Sequence, residues 1–446
     1  MNQNKIKKSL ATVALSVVLT MLSIGFPLRA ADTVYNLDAF LARVESHSKD
    51  LKLAVQELKL AKVNKREALS TALPTFQLSA TYNRNLKDNF LYIDFPDFET
   101  GETSNQKFKI NYKNEYGLNA SINQTLFSFK VGTALKAARE YKVLTDFVYD
   151  ATHKTIIKMA KKGFYQVILL KKVWELSKAS EENARENYLI MKKKFDNGQV
   201  SEFNLLQAEV RWQNIIPGTT EAKRNYELAL NSLKNLAGIP VDETIDLEGD
   251  FEHIPPMPAV VPMESVLERR ADFNALLWEA KLRETGIKAE KGEKYPTLGL
   301  NLVYNFSSQS DLFKFERQNN SYIVGLSLSV PIYTGGYREA QIQRAKIELE
   351  KTRIKIEKEK ETIYNDVQNI LLRLEEAKNR IDSAEKSLAT AKKAFNIAEI
   401  TAANGLATQL ELKDARIFYD QAALNLYASQ FDYLDAYFDW QQASGE

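Results

Sequence analysis

Cysteine is absent from this chain, which excludes disulfides and thiolate metal sites. Histidine is scarce: His47, His153 and His253 lie in unrelated segments and offer no ligand spacing. No G-x-x-x-x-G-K-[ST], G-x-S-x-G, H-E-x-x-H or strand-following G-x-G-x-x-G pattern occurs. Catalysis and cofactors therefore have no visible seat, and neither is expected. An excess of one charge is also lacking: 60 Lys and Arg face 58 Asp and Glu, a net charge of +2. Balanced charge at that density suits solvated helix faces and argues against a nucleic-acid partner. Proline and glycine are missing over long distances. From about Lys130 to Asp196 there is no Pro and only Gly132 and Gly163, and from Tyr337 to Ala403 there is neither. At about 1.5 Å per residue each stretch predicts a helix of roughly 100 Å, far beyond the usual globular length.

The one long apolar run is N-terminal. Lys5, Lys7 and Lys8 precede Leu10–Phe26, and Pro27-Leu28-Arg29-Ala30-Ala31-Asp32 follows. This reads as a secretory signal peptide spanning 1–30, cut after Ala30; an uncleaved anchor is the alternative, at the lower limit of a spanning length. No Cys follows that could take a lipid. No other stretch could cross a membrane as a helix, so strands must do so if the mature protein is integral.

What the chain does have is a repeat. At an offset of 206, Tyr116 falls on Tyr322, Ser121 on Ser327, Phe127 on Tyr333 and Ala134 on Ala340. At an offset of 207, Asn197-Gly198 falls on Asn404-Gly405, Ser201 on Thr408, Leu205 on Leu412 and Ala208 on Ala415. So long a period is a duplicated domain-sized element, not a solenoid. The expected division is a first repeat at 31–240, a linker at 241–262 carrying Pro255, Pro256, Pro258 and Pro262, and a second repeat at 263–446.

Each copy reads strand, strand, helix, helix. Phe76, Leu78, Ala80 and Tyr82 alternate with polar residues, as do Leu118, Ala120 and Ile122; Leu298–Tyr304 and Val324–Val330 repeat the pattern. Period-two alternation is the half-buried strand signal, shared by ordinary antiparallel sheets and by membrane barrels. In the second long helix Ile363, Val367, Ile370, Leu374, Ala377, Ile381, Ala384, Leu388, Ala391, Phe395 and Ala398 keep strict 4-3 spacing, a coiled-coil seam. Pro217-Gly218 interrupts the returning helix of the first copy only, predicting a kink or a full break.

These marks in this order resemble the TolC-like outer-membrane efflux proteins along about residues 35–442. The resemblance rests on Leu73-Pro74-Thr75 and Tyr295-Pro296-Thr297 opening strands, and on Val330-Pro331-Ile332-Tyr333-Thr334-Gly335-Gly336 closing one. It rests also on Leu236-Ala237-Gly238-Ile239-Pro240 and on the duplicated Gly-x-x-[Ser/Thr] helix start. The resemblance implies a homotrimer in which four strands per chain build a shared twelve-stranded outer-membrane β-barrel, continued by a long α-helical barrel in the periplasm. It implies a passive exit duct for tripartite efflux or type I secretion, in contact with outer-membrane lipid, joined through a periplasmic adaptor to an inner-membrane RND, ABC or MFS pump. A periplasmic coiled-coil structural or adaptor protein is the alternative, and a periplasmic enzyme a third. The tips at Asn197, Gly198, Ser201, Asn404, Gly405 and Thr408 would dock the adaptor. Glu411 and Asp414 match paired acidic residues that ring the periplasmic entrance; plain solvated carboxylates are the other reading. Ala402 and Ala407 stand where Tyr and Arg help lock the entrance in that family, so other contacts hold any gate here, or the entrance is looser. Tyr82, Tyr116, Tyr304 and Tyr322 would form the outer aromatic girdle and Phe127 and Tyr333 the inner one, unless they merely pack strand ends. Residues 84–113 and 307–320 would be the outward loops.

Overall fold

The computed structural model describes residues 33–96, 103–251, 253–404, 406 and 408–446. The leader at 1–30, residues 97–102 of the first loop, Gly405 and Ala407 lie outside the described residues. In chain order the elements are β1 (Thr33–Tyr35), α1 (Leu37–His47), α2 (Lys49–Ser70), β2 (Thr75–Arg84), β3 (Phe90–Pro96), β4 (Thr103–Lys109), β5 (Asn114–Phe127), α3 (Phe129–Asp196), α4 (Glu202–Leu236), β6 (Ile245–Leu247), α5 (Met263–Arg269), α6 (Ala271–Gly292), β7 (Thr297–Ser310), β8 (Asn319–Ser329), α7 (Tyr337–Ala403) and α8 (Gln409–Ser444). Two compact units each draw on both halves of the sequence. One comprises the chain up to Leu53 with Thr152–Pro262 and Asn365–Glu446; the other comprises Ala54–Ala151 and Met263–Tyr364.

The strand-bearing unit holds one four-stranded antiparallel sheet in the order β2-β5-β7-β8. The two repeats meet along β5 and β7, and β2 and β8 are left as edges. The loop expected at 307–320 is shorter than the sequence suggested, because β7 runs to Ser310 and β8 begins at Asn319. Glu316 ties the shortened loop: its carbonyl accepts from the Gln309 amide at 3.1 Å and its carboxylate from the Ser310 hydroxyl at 2.8 Å. The segment 84–113 is more than a loop. It carries its own hairpin, β3 paired with β4, whose strand β4 (TSNQKFK) has no apolar alternation to announce it. Helices α2 and α6, each of 22 residues, precede the sheet strands of the two copies. Asp50 and Asp272 both stand 24 residues before Pro74 and Pro296, so the repeat extends further upstream than the strands.

The other unit has the main hydrophobic core. The three-residue strands β1 and β6 pair in parallel, and α1 lays Phe40 and Val44, both fully buried, against Phe164, Val167 and Ile168 of α3. Leu230 and Leu233 of α4 and Leu434 and Phe438 of α8 complete the cluster. Gly238 is held at φ 64°, and a Cβ there would stand 2.8 Å from the His47 carbonyl oxygen, so this exit from α4 accepts no side chain.

The seam read from the sequence is the buried stripe of α7: Ile363 to Ala384 are buried at every 4-3 position, and Leu388, Ala391, Phe395 and Ala398 are half-buried. Helix α4 runs unbroken through Pro217, so the full break does not occur. The Thr219 hydroxyl, two residues on, donates to the Ser177 carbonyl of α3 at 3.3 Å, one bond that holds the two helices together there. The two hairpins share one clasp. Tyr188 of α3 stacks on Trp212 of α4 at 5.5 Å, and at the repeat offset Phe395 of α7 stacks on Tyr419 of α8 at 5.8 Å.

Candidate functional site

Cross-strand register gives the sheet two faces of opposite chemistry. On one, Phe76 lies opposite Ile122, Ile122 opposite Leu302, and Leu302 opposite Val324. The outer members of this face are open to the surroundings: Leu78, Val324 and Leu326 are 70%, 74% and 70% exposed. On the other face Ser79, Asn119, Asn305 and Ser321 form a continuous row. The Asn119 amide donates to Asn305 at 2.6 Å, and Asn301 donates to Asn123 across the same strand pair. A sheet that leaves its hydrocarbon side bare and satisfies its amides on the opposite side suits lipid on one face and water on the other.

The aromatic residues fall on the apolar face in two staggered pairs. Tyr82 meets Tyr116 at 5.2 Å, beside Phe313 and Phe315, while Tyr304 meets Tyr322 at 4.9 Å. Tyr304 lies opposite Ala120, four residues along β5 from Tyr116, so the pairs are not level along the strands. Simple alternation from Leu118, Ala120 and Ile122 would send Phe127 to the polar face. A β-bulge between Thr125 and Phe127 adds one residue and returns Phe127 to the apolar side, opposite Leu298. Tyr333 follows β8 and is 85% exposed. Phe129 and Tyr295 stack at 4.9 Å near the same end of the sheet, a pair the sequence reading did not single out.

At the Asn197 and Asn404 ends of the long helices the described residues close α3 and α7. Gly198 takes φ 71°, and the Gly198 and Gln199 amides donate to the Phe195 and Lys194 carbonyls at 2.8 Å each, closing α3. Asn197 continues this closure, its amide donating to Lys193. Asn404 ends α7 with its side-chain amide on the Ile400 carbonyl at 2.9 Å. Thr408 caps α8 in a full capping box: its hydroxyl accepts from the Glu411 amide at 3.2 Å, and the Glu411 carboxylate accepts from the Thr408 amide at 2.7 Å. Ser201 occupies the corresponding position of α4, but its side chain makes no capping bond. Of these two equivalent positions only Thr408 makes a side-chain cap. Nothing at position 204 can complete the box, because Asn204 stands where the second copy has Glu411.

Glu411 is thus a cap as well as an exposed charge. The Thr408 amide and hydroxyl hold its carboxyl below the ordinary carboxylate range. Asp414, three residues on, is exposed on the same helix. Arg211 of α4, which the sequence reading missed, feels the Asp414 charge. Burial pushes the Arg211 guanidinium down and Asp414 opposes that push. The two residues come from different repeats, so periodicity gave no sign of this electrostatic influence. Beside them Asn183, Asn187, Arg211, Glu399, Lys413 and Arg416 line a polar cleft of about 290 Å³. Lys413 is half-buried there instead of pointing freely beside the two carboxylates. The tip helices also present bare apolar groups, with Phe203 71%, Leu406 82% and Phe418 67% exposed. Among the described residues no group of acidic or histidine side chains is arranged to hold a metal, and no helix is long and apolar enough to cross a membrane.

The family model described as outer membrane efflux protein matches residues 41–239 and 263–446. The chain belongs to that family. Among curated members, it is 20% identical over 229 residues to the alkaline protease secretion protein AprF of Pseudomonas aeruginosa, an alignment covering 50% of this chain and 48% of AprF. It is 22% identical over 274 residues to outer membrane protein TolC of Escherichia coli, covering 56% of this chain and 54% of TolC. The chain thus spans about half the length of the curated relatives it matches. Among solved structures, the Campylobacter jejuni CmeC outer membrane channel superimposes with a TM-score of 0.76 at 20% identity, covering 92% of this chain and 85% of CmeC. The open-state MtrE outer membrane channel of Neisseria gonorrhoeae gives 0.71 at 19% identity, covering 92% and 88%. The fold is that of these channels: long paired helices with one four-stranded sheet to which each repeat contributes two strands.

Proposed function

We propose that the chain is one protomer of a passive outer-membrane exit duct, a homotrimer reaching from the outer membrane into the periplasm. The observation that carries this is the two-faced sheet with open edges. Its four strands have 10, 14, 14 and 11 residues, enough for the roughly 9–11 a tilted spanning strand needs. Four strands cannot close a pore, since small barrels use about eight. Three copies joining β8 of one to β2 of the next would give twelve, an even number as such barrels have. No catalytic step belongs to this reading, and transport energy comes from an inner-membrane pump. The exposed apolar groups around Asn197, Gly198, Ser201, Asn404, Gly405 and Thr408 are offered as the docking surface for a periplasmic adaptor. The repeat boundaries, 31–240 and 263–446 about a linker, are kept as the evolutionary units. AprF is named for secretion of a protease and CmeC as an outer membrane channel, and both roles fit a duct served by different pumps.

Glu411 and Asp414 are proposed to ring the periplasmic entrance, with Arg211 tempering Asp414. Threefold repetition of both carboxylates lowers the local potential and favours cations. The double variant Glu411→Gln, Asp414→Asn tests this, because Gln can still complete the capping box and the buried seam is untouched. Planar-bilayer recordings at about 0.1 M salt, where the Debye length is about 10 Å, should show lost cation preference with an intact trimer. Unchanged ion selectivity would return both residues to the solvated surface.

A further inference from the structure

We infer that the membrane-depth part of the duct carries no electrostatic filter, so cargo of either charge sign, or of mixed charge along one molecule, passes it unsorted. This rests on the channel reading above, which makes the amide face the lumen. On that face β2 contributes Gln77, Ser79 and Thr81, and β5 contributes Asn119, Ser121 and Asn123. On β7 and β8 the face continues with Asn, Ser, Thr, Gln and Gly, interrupted only by Val303 opposite Ile323. The single charged side chain on this face of the four strands is Glu115. It lies at the loop end of β5, where the Asn85 amide donates to its carboxylate at 2.8 Å.

The amides also satisfy one another. Asn119 donates to Asn305, Asn301 to Asn123, and Asn305 reaches the Ser321 hydroxyl at 3.5 Å. A wall whose amides partner one another in part holds passing groups weakly, and one without fixed charge neither concentrates nor repels ions. Bore is kept by small residues as well. A Cβ on Gly117 would stand 2.5 Å from the Thr81 hydroxyl oxygen, and one on Gly299 would stand 3.0 Å from that of Ser327. The wall therefore selects by size, and any charge selectivity arises in the helical part. A duct of this kind fits large cargo carrying both charge signs, whereas a charged barrel constriction would sort small ions.

The absence of cysteine makes the test clean. Ser121→Cys and Leu326→Cys proteins in vesicles of neutral lipid are treated with cationic and anionic methanethiosulfonates, and each rate is divided by that of a free thiol. Ser121→Cys should react with both reagents at a rate ratio within about threefold of unity, unchanged between about 0.01 and 1 M salt. Adding Asn119→Asp to Ser121→Cys should shift the ratio toward the cation by about tenfold, since three carboxylates then share one ring. A cation or anion preference above about tenfold in Ser121→Cys alone, collapsing at high salt, overturns the inference. If Ser121→Cys is inert while Leu326→Cys reacts, the faces are reversed. The lumen reading then falls, and this inference with it.

Discussion

Leu326→Arg is expected to abolish assembly in the outer membrane, while Ser327→Arg, one residue along β8, assembles. The two side chains leave the strand on opposite faces. Leu326 belongs to the apolar row opposite Leu300, and Ser327 lies opposite Gly299 on the amide face. A charge held on the lipid side at mid-bilayer costs about 2–4 kcal/mol per copy. In the proposed trimer that cost would apply three times to one cooperative barrel, against a total stability that is usually about 5–15 kcal/mol for a domain. On the amide face the guanidinium meets water. Leu300→Arg should behave as Leu326→Arg does, because the two leucines are cross-strand partners. Heat-resistant trimer on a gel, measured from isolated outer membranes, reads the result. Equal yields from both classes of variant would mean that the faces are wrongly assigned.

The second large effect belongs to the end of α8. Asp435 and Asp439, one turn apart, hold two helices at once. Lys162 of α3 reaches Asp435 at 2.9 Å and Asp439 at 2.8 Å, and Arg373 of α7 reaches them at 3.0 and 3.1 Å. Lys158 adds a third cation at 3.2 Å from Asp439. Burial pushes the Asp439 carboxyl upward, but Lys162 and Lys158 outweigh it and leave its pKa lowered. Removing both carboxylates strands three cations in a partly desolvated site. The double variant Asp435→Asn, Asp439→Asn should cost about 2–4 kcal/mol, less than a fully buried charge because Arg373 is half exposed. By contrast the exposed Lys223–Glu227 pair on α4, with both side chains more than half accessible, should yield less than about 0.5 kcal/mol when broken. A depressed carboxyl contributes stability above its unfolded pKa, about 3.9, and loses it as pH falls through the lower folded value. The clamp should therefore be intact at neutral pH and weaken only below about pH 4. Thermal melting followed by helical circular dichroism tests both statements; equal losses from the clamp and the surface pair would refute them.

Much of this architecture was legible in residue order because long-range order here follows local period. The 4-3 spacing from Ile363 to Ala384 is the buried stripe of α7, and the repeat maps β2 onto β7 from Thr75 to Thr297 and β5 onto β8 from Tyr116 to Tyr322. Alternation gave the sheet faces at Phe76, Ile122, Leu302 and Val324 before the register was seen. Where order failed, a local exception or a distant partner was responsible. The bulge at Thr125–Phe127 breaks the period by one residue. Strands β1 and β6 have three residues each, too few to show any period. Hairpin strand β4 carries a single apolar residue, Phe108, and so shows no alternation. The field of Asp414 at Arg211 acts between helices of different repeats, and in the Asp435–Asp439 clamp the two lysines lie more than 270 positions from the carboxylates they meet. At the tips the motif placed both helix ends, yet only Thr408 caps with its side chain, and Asn204 in place of Glu411 removes the reciprocal half of the box at Ser201. Trimer formation, the adaptor surface and the entrance ring concern neighbours of the chain, so residue order carries them only as the chemistry of exposed faces.

The most direct test of the central claim is the mass and location of the native particle. Inner and outer membranes are separated, an amine-reactive cross-linker is applied, and the purified particle is weighed by light scattering with the detergent contribution subtracted. The account requires three copies of the chain in the outer-membrane fraction. A soluble periplasmic monomer, or a particle of any other copy number in that membrane, would contradict it.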